Sequence, residues 1–290
     1  MTSVRNVTLV VGADSAIGQS VLAELLRQGK DAVGTTRRRE RVDDDCLWLD
    51  LSSDLERWQP PFPVGAAVLC AGATKFAACE RDPEQSAQVN IHGTVTLGRR
   101  LIGQGAFLIL LSSNAVFDGT VPFAPAEAPV SPTTEYGRQK CEAERRLREL
   151  SEEVAIVRFS KVLSPRDSLL HSWLVKLRQG TAIHPFSDRA MAPVSLAFAV
   201  RVLELVTASR TRGIVQASAN RDITYAEAAH YLARRIGADA SLVQPTSMER
   251  SGLSLRNSAT HTTLNSSRLD GAFGIEAPTP WAAIDAAIGM

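Results

Sequence analysis

Short apolar runs alternate along the chain with segments whose apolar residues recur every three to four positions, and this alternation predicts the architecture. Val7–Val11 is an uninterrupted β-branched run ending in Gly12, the pattern of a strand buried on both faces. Ile17, Val21 and Leu25 then recur at helical spacing, with Leu22 alongside and Gly29 as the stop. Further short strands are predicted at Ala32–Thr36, Cys46–Asp50, Ala66–Cys70, Ala106–Ser112 and Val154–Phe159. Helices are predicted around Pro83–Gly103 and Thr134–Leu150. Strands alternating with helices give an α/β fold, a Rossmann-type doubly wound parallel sheet. Beyond Ser164 the pattern loosens. Helices at Ser168–Arg178, Val194–Val206 and Tyr225–Ile236, with a strand at Gly213–Ala217, read as a smaller C-terminal substrate lobe interleaved with the last elements of the sheet. The expected division is a Rossmann domain over 1–165, completed by 190–218, and a lobe made of 166–189 and 219–290.

Composition narrows the function classes. The 290 residues carry 32 basic and 31 acidic side chains, so no global field draws the chain to nucleic acid or an anionic membrane. Aromatic residues, at 6%, are too sparse for a base-stacking surface. Cys46, Cys70, Cys79 and Cys141 have neither C-x-x-C spacing nor histidine neighbours, which points to reduced thiols in a cytoplasmic protein without a metal site. No apolar run approaches the ~20 residues of a membrane helix, and Val7–Val11 is too short for a signal peptide.

Candidate chemistry sits at the ends of the strands. Gly12-Ala13-Asp14-Ser15-Ala16-Ile17-Gly18 joins the first strand to the first helix, where backbone N–H groups and the helix N-terminus can receive a pyrophosphate. Ser15 stands where a G-x-x-G-x-x-G fingerprint has glycine, so by itself the turn is equally consistent with plain chain geometry. The second strand ends in Thr35-Thr36-Arg37-Arg38-Arg39. No carboxylate follows there to accept from a ribose 2′-hydroxyl, whereas Arg37 and Arg38 suit a 2′-phosphate, which favours NADP(H) and leaves NAD(H) open. The alternative is a solvated charge run neutralised by Asp43–Asp45. Asp50 and Leu51 after the third strand, the former a candidate acceptor for an adenine amino group, and Cys70, Ala71 and Gly72 after the fourth complete the cofactor candidates.

Tyr136 and Lys140 lie at i, i+4 on one predicted helix face. With three tyrosines and five lysines in the chain, chance placement predicts only about 0.05 such pairs. The chemistry calls for the pair, because a nearby ammonium would favour the anion of a phenol whose unperturbed pKa is ~10. Ser112 and Ser113 end the most apolar strand, at the sheet edge where open α/β folds bind ligands. A serine there could hold a substrate oxygen, although Ser-Ser at a strand end is also an ordinary turn former. Asn90, on a helix with Ala87, Ile91 and Val95 as its apolar stripe, could hold a water or a backbone carbonyl behind the site, or face solvent.

Taken together, these features resemble an extended short-chain dehydrogenase/reductase of the dTDP-4-dehydrorhamnose reductase-like branch. The likeness rests on the degraded glycine fingerprint, Val89-Asn90, the segment from Leu110 to Thr120, Tyr136-x-x-x-Lys140, and the later segments Gly213–Ala233 and Thr262–Ile275. The resemblance implies Ser113, Tyr136 and Lys140 as the catalytic triad, with Asn90 behind them. It also implies an NADPH-dependent reductase acting on a keto group of a nucleotide-linked deoxysugar, and it allows a homodimer. Asn114 and the cations Lys161, Arg166 and Arg189 are the candidates for contacting such a substrate. Two departures stand out: Ser113-Asn114-Ala115 replaces the family's usual Thr-Asp-Tyr, which bears on the sugar more than on the reductase chemistry, and Ser15 replaces a glycine. An epimerase or dehydratase with retained cofactor, and a non-catalytic nucleotide-binding subunit, remain as alternatives.

Overall fold

The computed structural model describes residues 6–165, 167–251 and 259–290, arranged as two compact units. The first comprises the chain up to Val116 together with Val130–Arg158 and Ala199–Val215; the second comprises Phe117–Pro129, Phe159–Phe198 and Gln216–Met290.

The first unit is built on a seven-stranded sheet. Its strands are β1 (Val7–Val11), β2 (Ala32–Thr36), β3 (Cys46–Trp48), β4 (Val64–Leu69), β5 (Phe107–Ser113), β6 (Val154–Phe159) and Gly213–Ala217. The spatial order is Gly213–Ala217, β6, β5, β4, β1, β2, β3, so the order reverses at β1 and β4. β1 pairs parallel with both β2 and β4, placing Leu9 beside Val33 and Ala67, and β4 pairs parallel with β5. Inner strands of this kind need apolar residues on both faces, and Leu108, Ile109 and Leu110 are almost wholly buried. Each contributes roughly 1.5–3 kcal/mol relative to exposure.

Helix α1 (Ala16–Arg27) buries Gly18, Val21 and Leu25 against the sheet side of its stripe. The stretch expected as one helix from Pro83 to Gly103 is continuous but not uniform. α3 (Pro83–Ala87) passes into a π-helical turn over Gln88–Gly93 and then into α4 (Thr94–Gly103). A short helix that the periodicity did not mark, α2 (Phe76–Arg81), precedes them. α5 (Glu135–Leu150) begins at Thr134, whose side chain accepts from the Gly137 N–H.

The second unit packs α6 (Ser168–Arg178), α8 (Tyr225–Arg235) and α10 (Pro280–Ile288) around Leu170, Trp173, Leu177, Leu232 and Ile284. Thr224 and Glu227 start α8 with reciprocal side-chain to backbone bonds. Among the described residues no helix is long and apolar enough to cross a membrane, and no cluster of His, Cys, Asp or Glu side chains has the arrangement of a metal site.

Candidate functional site

The reversal of strand order opens a crevice at the carboxyl ends of β1 and β4, where the Cys70 N–H donates to the Val11 carbonyl at 2.9 Å. A cavity of about 430 Å³ occupies this edge of the sheet. Of the residues expected to contact a cofactor, Gly12, Ser15, Arg37, Arg38, Asp50, Leu51, Cys70, Ala71 and Gly72 line it. Ala16 and Ile17 form the first turn of α1, and Gly18 is buried in that helix.

The turn accounts for its own glycine content. Gly12 has φ of +86°, and a Cβ there would come within 2.7 Å of the Ala71 backbone nitrogen, so only glycine fits. Ser15, by contrast, has an extended backbone (φ −77°, ψ 155°) and needs no glycine. Its hydroxyl donates to the Gly12 carbonyl at 2.9 Å and accepts from the Gly18 N–H at 3.0 Å, making it the N-cap of α1. Serine therefore closes the turn on itself. Across the cavity, a Cβ on Gly72 would lie 3.2 Å from Asn90 Oδ1, a second close backbone approach.

At the adenosine end the arginine run divides. Arg37 and Arg38 line the cavity, the Arg39 guanidinium stacks on Trp48 with 4.4 Å to the ring centroid, and Arg41 pairs with Asp14 at 3.1 Å. The Asp43 carboxylate caps the Asp45 N–H at 2.9 Å. Asp50 Oδ1 accepts from the Ser52 N–H and hydroxyl, at 2.9 and 2.7 Å, which fixes the carboxylate at the rim. The sequence placed no acid at the end of β2, yet Asp14 reaches it from the glycine turn: the Thr36 hydroxyl donates to Asp14 Oδ2 at 2.5 Å. A glycine cradle that excludes side chains, with two guanidinium groups at its far end, fits a dinucleotide carrying phosphates.

The residues expected to form the triad lie on β5 and α5 in the same unit. Alternation along β5 separates the two serines. Ser112 turns into the core and donates to Glu144, whereas Ser113 is half-buried and acts on the Tyr136 phenol in the sense that favours the phenolate. Ser113 Oγ also accepts from the Ala115 N–H at 3.2 Å, and the neighbouring Asn114 Oδ1 lies 3.4 Å away. Tyr136 is 7% exposed and stacks on Phe76 with ring centroids 5.1 Å apart. Burial pushes its phenol well above the usual tyrosine range, with Cys79 adding to the shift and Ser113 opposing it. Burial pushes the Lys140 ammonium down to about 8, against the opposing pull of Glu144.

Lys140 Nζ donates to the Leu111 carbonyl at 2.7 Å and stands 6.0 Å from the Tyr136 ring centroid. The expected lowering of the phenol pKa by Lys140 is not what governs it in the protein alone, where desolvation dominates and the opposing pull comes from Ser113. Tyr136 is held protonated, the form a proton donor requires.

Two buried networks support this pair. Asn90 lies in the π-helical turn and is 1% exposed; it accepts from the Ala73 N–H at 2.8 Å and donates to the Ala73 carbonyl at 3.0 Å, locking the loop after β4. Its amide also donates to Gln139 Oε1 at 2.8 Å, tying the loop to α5. On the other side of Lys140, Glu144 lies one helical turn further along α5. Arg158 of β6 donates to it from Nη2 at 2.6 Å, and both side chains are almost fully buried. Neither Asp14 nor this Glu144–Arg158 pair was marked by sequence spacing.

In the second unit, Lys161 and Arg189 converge on one ring: Lys161 Nζ lies 5.9 Å and Arg189 Cζ 5.4 Å from the Tyr225 centroid. Lys161 also pairs with Asp167 at 3.6 Å. Arg166 lies outside the described residues.

Comparison with known proteins places these features in a family. The family model described as RmlD substrate binding domain matches residues 6–288. The chain is 28% identical over 284 residues to the probable low-salt glycan biosynthesis reductase Agl14 of Haloferax volcanii, covering 93% of each chain. It is 31% identical over 150 residues to methionine adenosyltransferase 2 subunit beta of Rattus norvegicus, a match spanning 52% of this chain and less than half (45%) of that one. The crystal structure of dTDP-4-dehydrorhamnose reductase from Bacillus anthracis in complex with NADP has the same fold, with a TM-score of 0.84 at 16% identity over 98% of both chains. The chain belongs to the RmlD substrate-binding-domain family, within the extended short-chain dehydrogenases/reductases.

Proposed function

We propose that this protein is an NADPH-dependent reductase that converts a keto group on a nucleotide-linked deoxysugar into an alcohol. The observation that carries the reading is the meeting of Ser113, Tyr136 and Lys140 in the unit that also holds the glycine cradle. Family membership and the similarity to a glycan biosynthesis reductase support the reaction class.

Gly12, Ser15 and Gly72 would hold the pyrophosphate and nicotinamide portions of the dinucleotide, and Arg37 and Arg38 its 2′-phosphate. When bound, the cofactor supplies the hydride to the ketone carbon. Ser113 Oγ directs a hydrogen bond to the carbonyl oxygen, and Tyr136 Oη, kept neutral by burial, donates the proton to the oxygen as negative charge develops there. Lys140, predominantly cationic at neutral pH, stabilises the phenolate left behind and can donate to a ribose hydroxyl. Asn90 keeps the Ala73 backbone in register with α5. Lys161 and Arg189, gathered on Tyr225, are the cations suited to a diphosphate.

NADPH oxidation, followed by the loss of reduced nicotinamide absorbance across a panel of nucleotide-linked keto sugars, tests the proposal. Turnover with at least one of them is the expected outcome. Binding of NADPH with no turnover on any would replace the reductase with the second reading, a nucleotide-binding subunit, which the partial likeness to a methionine adenosyltransferase subunit favours. Co-purification of tightly held nicotinamide would instead indicate an epimerase or dehydratase.

A further inference from the structure

We infer that Asp14 sets the balance between NADPH and NADH, as a carboxylate brought from the glycine turn to the end of β2 beside the ribose 2′ position. The inference rests on the dinucleotide reading of the cavity and deepens it. Asp14 lines the same cavity wall as Arg37 and Arg38. It is held there from two directions: Thr36, the last residue of β2, donates to Oδ2 at 2.5 Å, and Arg41 donates to Oδ1 at 3.1 Å. Thr36 is 2% exposed, so its hydroxyl fixes one carboxylate oxygen rigidly, while the Arg41 bond forms at the surface, the two side chains being 54% and 21% exposed.

A carboxylate at the end of the second strand is an acceptor for a ribose 2′-hydroxyl and a like charge to a 2′-phosphate. Arg37 and Arg38 act in the opposite sense, favouring the phosphate. The cavity thus carries opposed determinants, and Arg41 moderates the acidic one by pairing with it. The consequence is a site that binds both dinucleotides, with a preference for NADPH smaller than its arginines alone would give.

The balance is read by fluorescence titration of the full-length protein with NADPH and with NADH, repeated with adenosine 2′,5′-bisphosphate and 5′-AMP as competitors that carry only the adenosine end. Asp14→Asn retains an acceptor for Thr36 while removing the charge, and it is expected to raise the ratio of NADPH to NADH affinity by roughly tenfold, the scale of one like charge removed near a partly exposed phosphate. Arg41→Gln, an exposed change outside the turn, should move the ratio the other way by about two- to threefold. The bisphosphate and 5′-AMP should follow the same ratios. A ratio unchanged within twofold in Asp14→Asn, with both dinucleotides still binding, overturns the role of Asp14 and leaves the cofactor site standing. Failure of the wild-type protein to bind either dinucleotide overturns both.

Discussion

Replacing Glu144 with Gln tests how Lys140, the lysine of the proposed triad, is supported. Glu144 accepts from Ser112, from Arg158 Nη2 at 2.6 Å and from Arg158 Nε at 3.1 and 3.2 Å, with side-chain exposures of 5% and 2% for the two ions. Glutamine keeps the shape but leaves the Arg158 guanidinium buried without its anion. Removing one member of a buried pair costs about 3–5 kcal/mol, which for a cooperative unit of this size lowers Tm by roughly 6–20 °C. The same change removes the negative charge that raises the Lys140 pKa, so Lys140 should titrate below its present value of about 8. Thermal unfolding by circular dichroism reads the first effect, and the alkaline limb of the kcat profile reads the second, moving to lower pH. The double variant Glu144→Leu/Arg158→Leu, which removes both ions, should recover stability relative to Glu144→Gln while its alkaline limb stays displaced. A Tm loss below about 2 °C, or a double variant less stable than the single one, would refute the assignment of Glu144 as the counter-charge of this core.

Three further outcomes are expected. Lys140 carries a folded pKa of about 8 against 10.5 in the unfolded chain, so above pH 8 the native state releases a proton that the unfolded state keeps, and stability rises with pH. Relative to Lys140→Met, the wild type should gain up to about 1.4 kcal/mol per pH unit between pH 8 and 9 in urea titrations, a difference in which the opposing contribution of the Cys70 and Cys141 thiols, both pushed up to about 12 and shared by the two proteins, cancels. Arg38→Ala should weaken NADPH binding by about tenfold and NADH binding by less than twofold in isothermal titration, since a phosphate contact serves only the phosphorylated cofactor. Ser15→Ala removes the cap of α1 and should cost about 1 kcal/mol in chemical denaturation.

What the sequence made legible was local. β1, the glycine turn and α1 follow from a β-branched run, a glycine that must take positive φ and a four-residue repeat, and the Tyr136/Lys140 pair follows from spacing along one helix. The resemblance alone singled out Ser113 over Ser112, and the pleat of β5 supplies the physical reason, since it sets one serine against Tyr136 and turns the other to Glu144. Contacts between distant segments were hidden for the same physical reason. Asp14 lies 22 residues from Thr36 in the chain, and only the pairing of β1 with β2 brings the glycine turn to that strand end. For Asn90 the sequence left open a water or backbone carbonyl behind the site or solvent, and the π-helical turn decides by directing it inward to the Ala73 backbone and Gln139. Nothing in the spacing of the charges along α5 distinguishes Glu144, whose partner Arg158 comes from β6. Lys161 and Arg189, 28 residues apart, were both substrate candidates in the sequence, but their meeting on the Tyr225 ring was not legible there.

The central claim is that Tyr136 passes a proton to a substrate oxygen beside the bound dinucleotide. Its most direct test is Tyr136→Phe, which keeps the ring stacked on Phe76 and removes only the hydroxyl. Measured with the keto sugar that the wild type reduces, kcat should fall by a factor of about 10² to 10⁴ while the NADPH dissociation constant stays within about twofold of wild type. A variant that turns over at the wild-type rate would contradict the account.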